Sequence, residues 1–296
     1  MKKIIAALIC ILSLMKLPAQ ELYVNSEPAS NMATGSVGFR VLSKLYKMNF
    51  NNSFSSYRIE PELMIGASRK WMIHVAGYGS NMFQEKFRIE GGSLYAKYRF
   101  YSQDEVHEHF RLAAYSKASL INNPQQLTVQ HKKLVVDGNG GYTEQLFTSS
   151  YNSDEFDIDG NNSGVVAGVV ATKLVNRIAA SASAGYGRRF NNLHANTNAG
   201  QPRDAINYTA SFGYLLLPKE YVSYKQTNVN LYAEVLGTSF PGNSEHYVDI
   251  APAVQFIFNS ISRLDLSYRT QLAGNTPRLS NSYVMVRLEY NILNLF

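Results

Sequence analysis

The chain has 296 residues, with 28 Lys and Arg against 22 Asp and Glu, six His, a single Cys, 20 Tyr and 15 Phe. Beyond its N-terminus no stretch reaches the ~18 consecutive apolar residues of a membrane-crossing helix, and one cysteine excludes both an internal disulfide and a thiolate metal cluster. The formal charge of +6 is modest and three of its lysines lie in the first sixteen residues, so no nucleic-acid partner is expected.

Met1-Lys-Lys3 precedes an apolar run from Ile4 to Leu17 and then Pro-Ala-Gln20. That is the charged, apolar and small-residue order of a secretory signal peptide, cleaved after Ala19 although Leu17 is bulky for its position. Cys10 would suit a lipoprotein, but Ile9 is bulky too and the apolar run continues past it, which favours cleavage over lipidation. Removing Lys2, Lys3 and Lys16 takes the charge from +6 to +3 and removes the only cysteine.

Residues 20–35 have no sustained period and read as a periplasmic or plugging lead-in. From Ser36 every second residue turns apolar: Val37, Phe39, Val41 and Leu45 alternate with Arg40, Lys44 and Tyr46. This is a strand with one oily and one wet face. The polar cluster 51–53 turns the chain into a second strand, where Tyr57, Ile59, Pro61, Leu63 and Ile65 oppose Arg58, Glu60 and Glu62; Pro61 lacks a ladder donor and predicts a local irregularity or a bulge. Trp71 opens the third strand beside the Ser68-Arg-Lys70 turn, where an interfacial anchor belongs.

A fourth strand over 88–102 sets Leu94, Ala96, Tyr98 and Phe100 against Tyr95, Lys97 and Arg99, with Arg88 and Glu90 out of phase. Either Gly91-Gly92 resets the register through a bulge, or those charges lie beyond the membrane edge. The fifth strand carries Arg111 and Lys117 on its polar face. Residues 121–162 lack a clear strand period, apart from a hairpin arm suggested over 127–136. Long segments of this kind are usually functional or mobile.

Seven further strands follow, at 164–172, 179–189, 205–217, 227–237, 246–258, 263–272 and 281–296. Their polar faces contribute Glu234, Asp249, Arg263, Asp265, Arg269, Arg287 and Glu289, and the last strand ends on Phe296. The twelve strands sort their connections into short turns on one side and long segments on the other. That is the pattern of a closed antiparallel barrel with both termini in the periplasm.

An Arg or Lys facing mid-membrane lipid would cost roughly 2–4 kcal/mol, so the polar face must be the lumen. The expected pore-lining set is Arg40, Lys44, Arg58, Lys97, Arg99, Arg111, Lys117, Arg263, Arg269 and Arg287 against Glu60, Glu62, Glu234, Asp249, Asp265 and Glu289. Ten cations over six anions would favour anionic solutes in an open pore; the same groups, if mutually paired, would close it. His107 and His109, near Asp104 and Glu105, could hold a transition metal, against the reading of a solvated turn. Asp157 and Asp159 partly match a calcium loop, but Val166 stands where its bidentate Glu belongs. None of the six histidines has a recognisable nucleophile motif beside it, so neither catalytic residues nor a cofactor is expected.

The leader, the strand series and the terminal Phe296 together resemble a Gram-negative outer-membrane β-barrel of the Bacteroidota type. More loosely, they resemble the small outer-membrane transporters of aromatic-degradation pathways. The resemblance implies an all-β fold, a closed transmembrane barrel of about twelve strands after a signal peptide, located in the cell outer membrane. It also implies lipid, small solutes and the outer-membrane assembly machinery as partners. A closed structural or adhesive barrel presenting the 121–162 loop, and an outer-membrane enzyme, are the alternatives.

Overall fold

The computed structural model describes residues 23–296 except for Glu85, Val106, His107, Gln125, 137–140, 198–199, Tyr221, Val222 and Tyr224. The leader expected at 1–19, the start of the lead-in, and His107 of the metal candidate lie outside the described residues.

Among the described residues fourteen strands form, in order β1 (Val37–Met48), β2 (Ser53–Ile65), β3 (Trp71–Ser80), β4 (Arg88–Asp104), β5 (Glu108–Ile121), β6 (Gln126–Val136), β7 (Tyr142–Asn152), β8 (Gly164–Val175), β9 (Ile178–Arg189), β10 (Asp204–Leu217), β11 (Asn228–Ser239), β12 (His246–Phe258), β13 (Ser262–Gly274) and β14 (Ser280–Ile292). Twelve of them close into one antiparallel barrel in which β14 pairs with β1, while β6 and β7 form a separate two-stranded ribbon. Closure is what allows strands to stand in hydrocarbon, because every ladder donor and acceptor then finds a neighbour and no edge is left. The hairpin arm suggested over 127–136 is the first strand of the ribbon.

Alternation sorts the side chains. Phe39, Val41, Leu94, Val169, Leu288 and Tyr290 point outward, whereas Arg40, Lys97, Glu234, Asp265 and Arg287 between them are buried in the lumen. With a continuous apolar belt and a closed ladder, the chain is an outer-membrane β-barrel. Trp71 lies at the short-turn end and packs its ring on Tyr98 at 4.8 Å between centroids, which suits an interfacial anchor.

Two local expectations resolve differently. At Pro61 the outcome is the irregularity and not the bulge: it stays in register opposite Val41, and the pairing with β3 lapses around it, between Ile59 and Glu62. The proline's missing N–H therefore removes a rung without shifting the strand. The phase break in β4, by contrast, is a bulge, since Tyr78 pairs with Gly91 and Gly79 with Ile89, leaving Glu90 as the extra residue. Gly91 takes φ +148°, and a side chain there would run into the Leu120 carbonyl, so the bulge needs glycine. The phase reset turns Glu90 inward, where it is buried.

Among the described residues, two longer non-strand segments enter the lumen. Residues 23–34 enter from the short-turn end, so the lead-in plugs the barrel; its buried Tyr23 and Val24 face the inner wall. Several of its backbone groups are satisfied by lumen side chains. At the other end, residues 153–163 leave the β6–β7 ribbon and fold inward.

Candidate functional site

Register builds the lumen's charge network. Arg40 in β1 stands opposite Glu62 in β2 and Glu289 in β14, and its guanidinium reaches both carboxylates, at 3.1 and 2.8 Å. Arg263 reaches Glu289 at 2.5 Å, and Asp265 accepts from its cross-strand neighbour Arg287 and forms an ion pair with Arg263 at 3.2 Å. Lys44 pairs with Glu60 at 2.7 Å, and Arg269 with Asp249 at 2.7 Å. Each is a desolvated pair whose separation would strand a charge, at about 3–5 kcal/mol.

The plug is held by this network. The Glu234 carboxylate accepts the backbone N–H groups of Val24, Asn25 and Ser26 at 3.0, 2.7 and 2.9 Å and the Ser26 hydroxyl at 2.7 Å. Arg287 donates to the carbonyls of Tyr23 and Val24, and Lys97 to those of Pro28 and Ser30. Glu27 meets Arg40 at 2.7 Å. Burial tends to raise the Glu27 carboxyl, but Arg40, Lys97 and His74 together hold it well below the usual carboxylate range.

The opposite closure centres on Arg58. Its guanidinium bonds Glu90 at 2.9 Å, Asp157 at 3.1 Å, the Asp159 carbonyl at 3.2 Å and Asn161 Oδ1 at 2.5 Å. Residues 157–161 therefore do wrap a cation, but it is an arginine side chain. Gly160, at φ +126°, permits this: a Cβ there would lie 2.5 Å from the Arg58 guanidinium carbon. Asp159 also pairs with Lys117; burial pushes its carboxyl up, but Lys117 and Lys44 bring it down to about 2. Arg278 ties the same segment to the wall through Glu155 and Asp249, at 2.5 and 2.8 Å.

Between the two closures lies a chamber of about 350 Å³. One wall is ionic, with Tyr46, Tyr78, Tyr95 and Tyr283 among the charges; the other is neutral, with Ser183, Asn207, Thr209 and Thr238. His74 faces it with Nδ1 on Glu62 at 2.6 Å and with its buried Nε2 free of any hydrogen-bond partner.

Of the residues expected in the lumen, most converge on this network. Arg99 and Arg111 instead serve the short-turn end: Arg99 donates to the Arg69 carbonyl at 2.8 Å, and Arg111 binds Asp104 and the plug's Ser30. His109 is buried on β5, and among the described residues no group of three or more His, Cys, Asp or Glu could hold a metal. The expected cationic excess does not persist. Glu27, Glu155, Asp157 and Asp159 arrive from segments without strand period, and Glu90 through a bulge, so they escaped a reading by alternation. For Glu90 the phase break was itself the signal.

No protein-family model matches the chain, and no curated protein matches it in sequence. Among solved structures, an outer-membrane channel from Pseudomonas putida F1 superposes with a TM-score of 0.56 at 11% identity, covering 91% of this chain and 100% of that one. The KdgM porin gives 0.44 at 6% identity, covering 86% and 98%. The P. putida toluene transporter TodX gives 0.42 at 8%, covering 94% and 96%. At such identities the likeness to the first is one of fold, and that fold is the outer-membrane β-barrel.

Proposed function

We propose that this barrel is a narrow outer-membrane channel or transporter for small solutes, with the short-turn end in the periplasm and residues 23–34 and 153–163 as its inner and outer closures. The observation that carries this reading is the chamber itself. Between its two closures the lumen keeps about 350 Å³, in the lower range of small-molecule sites. The lining charges expected from the strand pattern act in this reading as chamber and closure residues. Kinship with Bacteroidota barrels, and delivery by the outer-membrane assembly machinery, belong to the same reading and rest on the terminal strand. We assign no catalytic step.

The test is single-channel recording of the refolded mature chain in a planar bilayer. Resolved steps are expected; a folded barrel that stays silent, with its plug anchored and after Glu234→Gln, would refute channel function. A second reading, a closed barrel that presents a binding arm, is favoured by one observation: the β6–β7 ribbon joins no barrel strand, and its Leu134, Val136, Tyr142 and Leu146 are exposed. Deleting 128–150 with unchanged conductance but lost surface binding would support it.

A further inference from the structure

The chamber's ionic balance narrows what can enter it. Six cationic and six anionic side chains line it, and all twelve have a partner of opposite sign. Arg40 serves Glu27 and Glu62, Lys44 serves Glu60, Lys117 serves Asp159 and Arg278 serves Glu155. The other three find theirs outside the lining: Arg269 on Asp249, Arg287 on Asp265, and Asp157 on Arg58.

An ion entering such a site has two routes. It can break an existing pair, leaving one buried charge uncompensated, or it can shed its own hydration without gaining a full counter-charge; both are unfavourable. A hydrocarbon solute fares no better, because the ionic wall would lose water and gain nothing. An uncharged solute rich in hydroxyl groups meets neither penalty. Its hydroxyls can bond the spare lone pairs of paired carboxylates and the spare N–H groups of paired guanidinium ions without separating them. The remaining polar surface suits it too. Ser183 and Thr209, and Asn207 and Thr238, form neutral hydrogen-bonded pairs across the far wall. His74 and Asn25 also line the chamber and add polar side chains to its wall.

We propose that the chamber selects small, uncharged, hydroxyl-rich solutes of monosaccharide size over ions and over apolar compounds. The proposal rests on the channel reading above. The experiment is swelling of proteoliposomes carrying the mature chain, in isotonic arabinose, glycine, sodium gluconate and lysine hydrochloride. Arabinose is expected to swell them several-fold faster than either charged solute, and faster than glycine. Gluconate or lysine entering as fast as arabinose would overturn the neutral filter while leaving the channel intact; glycine entering fastest would overturn it in favour of a zwitterion. No swelling in any solute, with the plug anchored and after Glu234→Gln, would instead overturn the channel reading, and the proposal with it. A second variant isolates the charge balance. Asp159→Asn leaves Lys117 without its counter-ion, so gluconate entry should rise several-fold relative to arabinose; an unchanged ratio would overturn the mechanism.

Discussion

Ser26 and Glu234, 208 residues apart, meet at 2.9 Å backbone to carboxylate and 2.7 Å hydroxyl to carboxylate, and with the neighbouring Val24 and Asn25 amides on the same group they fix the plug in the lumen. A buried carboxylate needs strong donors; here the plug's own N–H groups supply charge-assisted hydrogen bonds.

Replacing Glu234 should therefore free the plug without dismantling the wall. Hydrogen bonds to a charged group contribute about 1.5–3 kcal/mol each, so Glu234→Gln is expected to raise single-channel conductance and open probability while β-sheet circular dichroism stays unchanged. Equal conductance in mutant and wild type would show that the segment does not obstruct the lumen.

Arg58 should matter more to stability than any other lumen cation. Arg58→Met strands Glu90 and Asp157 and removes the centre around which 157–161 folds, a loss of about 3–5 kcal/mol. The expected readouts are a lower urea midpoint in lipid vesicles and faster protease cleavage within 153–163. A midpoint within error of wild type would mean that the closure is independent of the ion pair.

Acid should open the outer closure late. The Asp159 carboxyl is brought down from 3.8 to about 2 in the folded protein, so the stability it contributes is complete above about pH 4 and is lost as pH falls toward 2. Glu27 is shifted in the same direction, so the plug should follow the same sign. Amide hydrogen exchange over 157–162 is expected to stay slow at pH 4.5 and to exceed the intrinsic pH trend only below about pH 3.5. Release already near pH 6 would contradict the assignment.

The two faces of a strand should respond oppositely to charge. Leu94 is 54% exposed toward lipid, so Leu94→Arg should cost roughly 2–4 kcal/mol of folding free energy in a bilayer. Ser183→Arg, on the neutral lumen wall, should leave folding nearly intact and alter solute flux instead. Equal destabilisation by both would mean that the lumen is as dry as the lipid face.

Alternation with a period of two is a local property of the chain, and it determined a great deal here. It fixed the twelve barrel strands, the side of each that meets lipid, and the inward charges from Arg40 to Glu289. The unequal lengths of the connections distinguished its two ends. Tertiary structure alone decided what fills the lumen. Residues 23–34 and 153–163 have no period to read, and their places depend on contacts such as Val24 with Glu234 and Asp157 with Arg58, which exist only once the barrel has closed and its register has brought distant residues level. Those same segments carry the carboxylates that balance the chamber. The sign of the lumen therefore followed from the sum over the closed structure, and could not be obtained from the strands that enclose it.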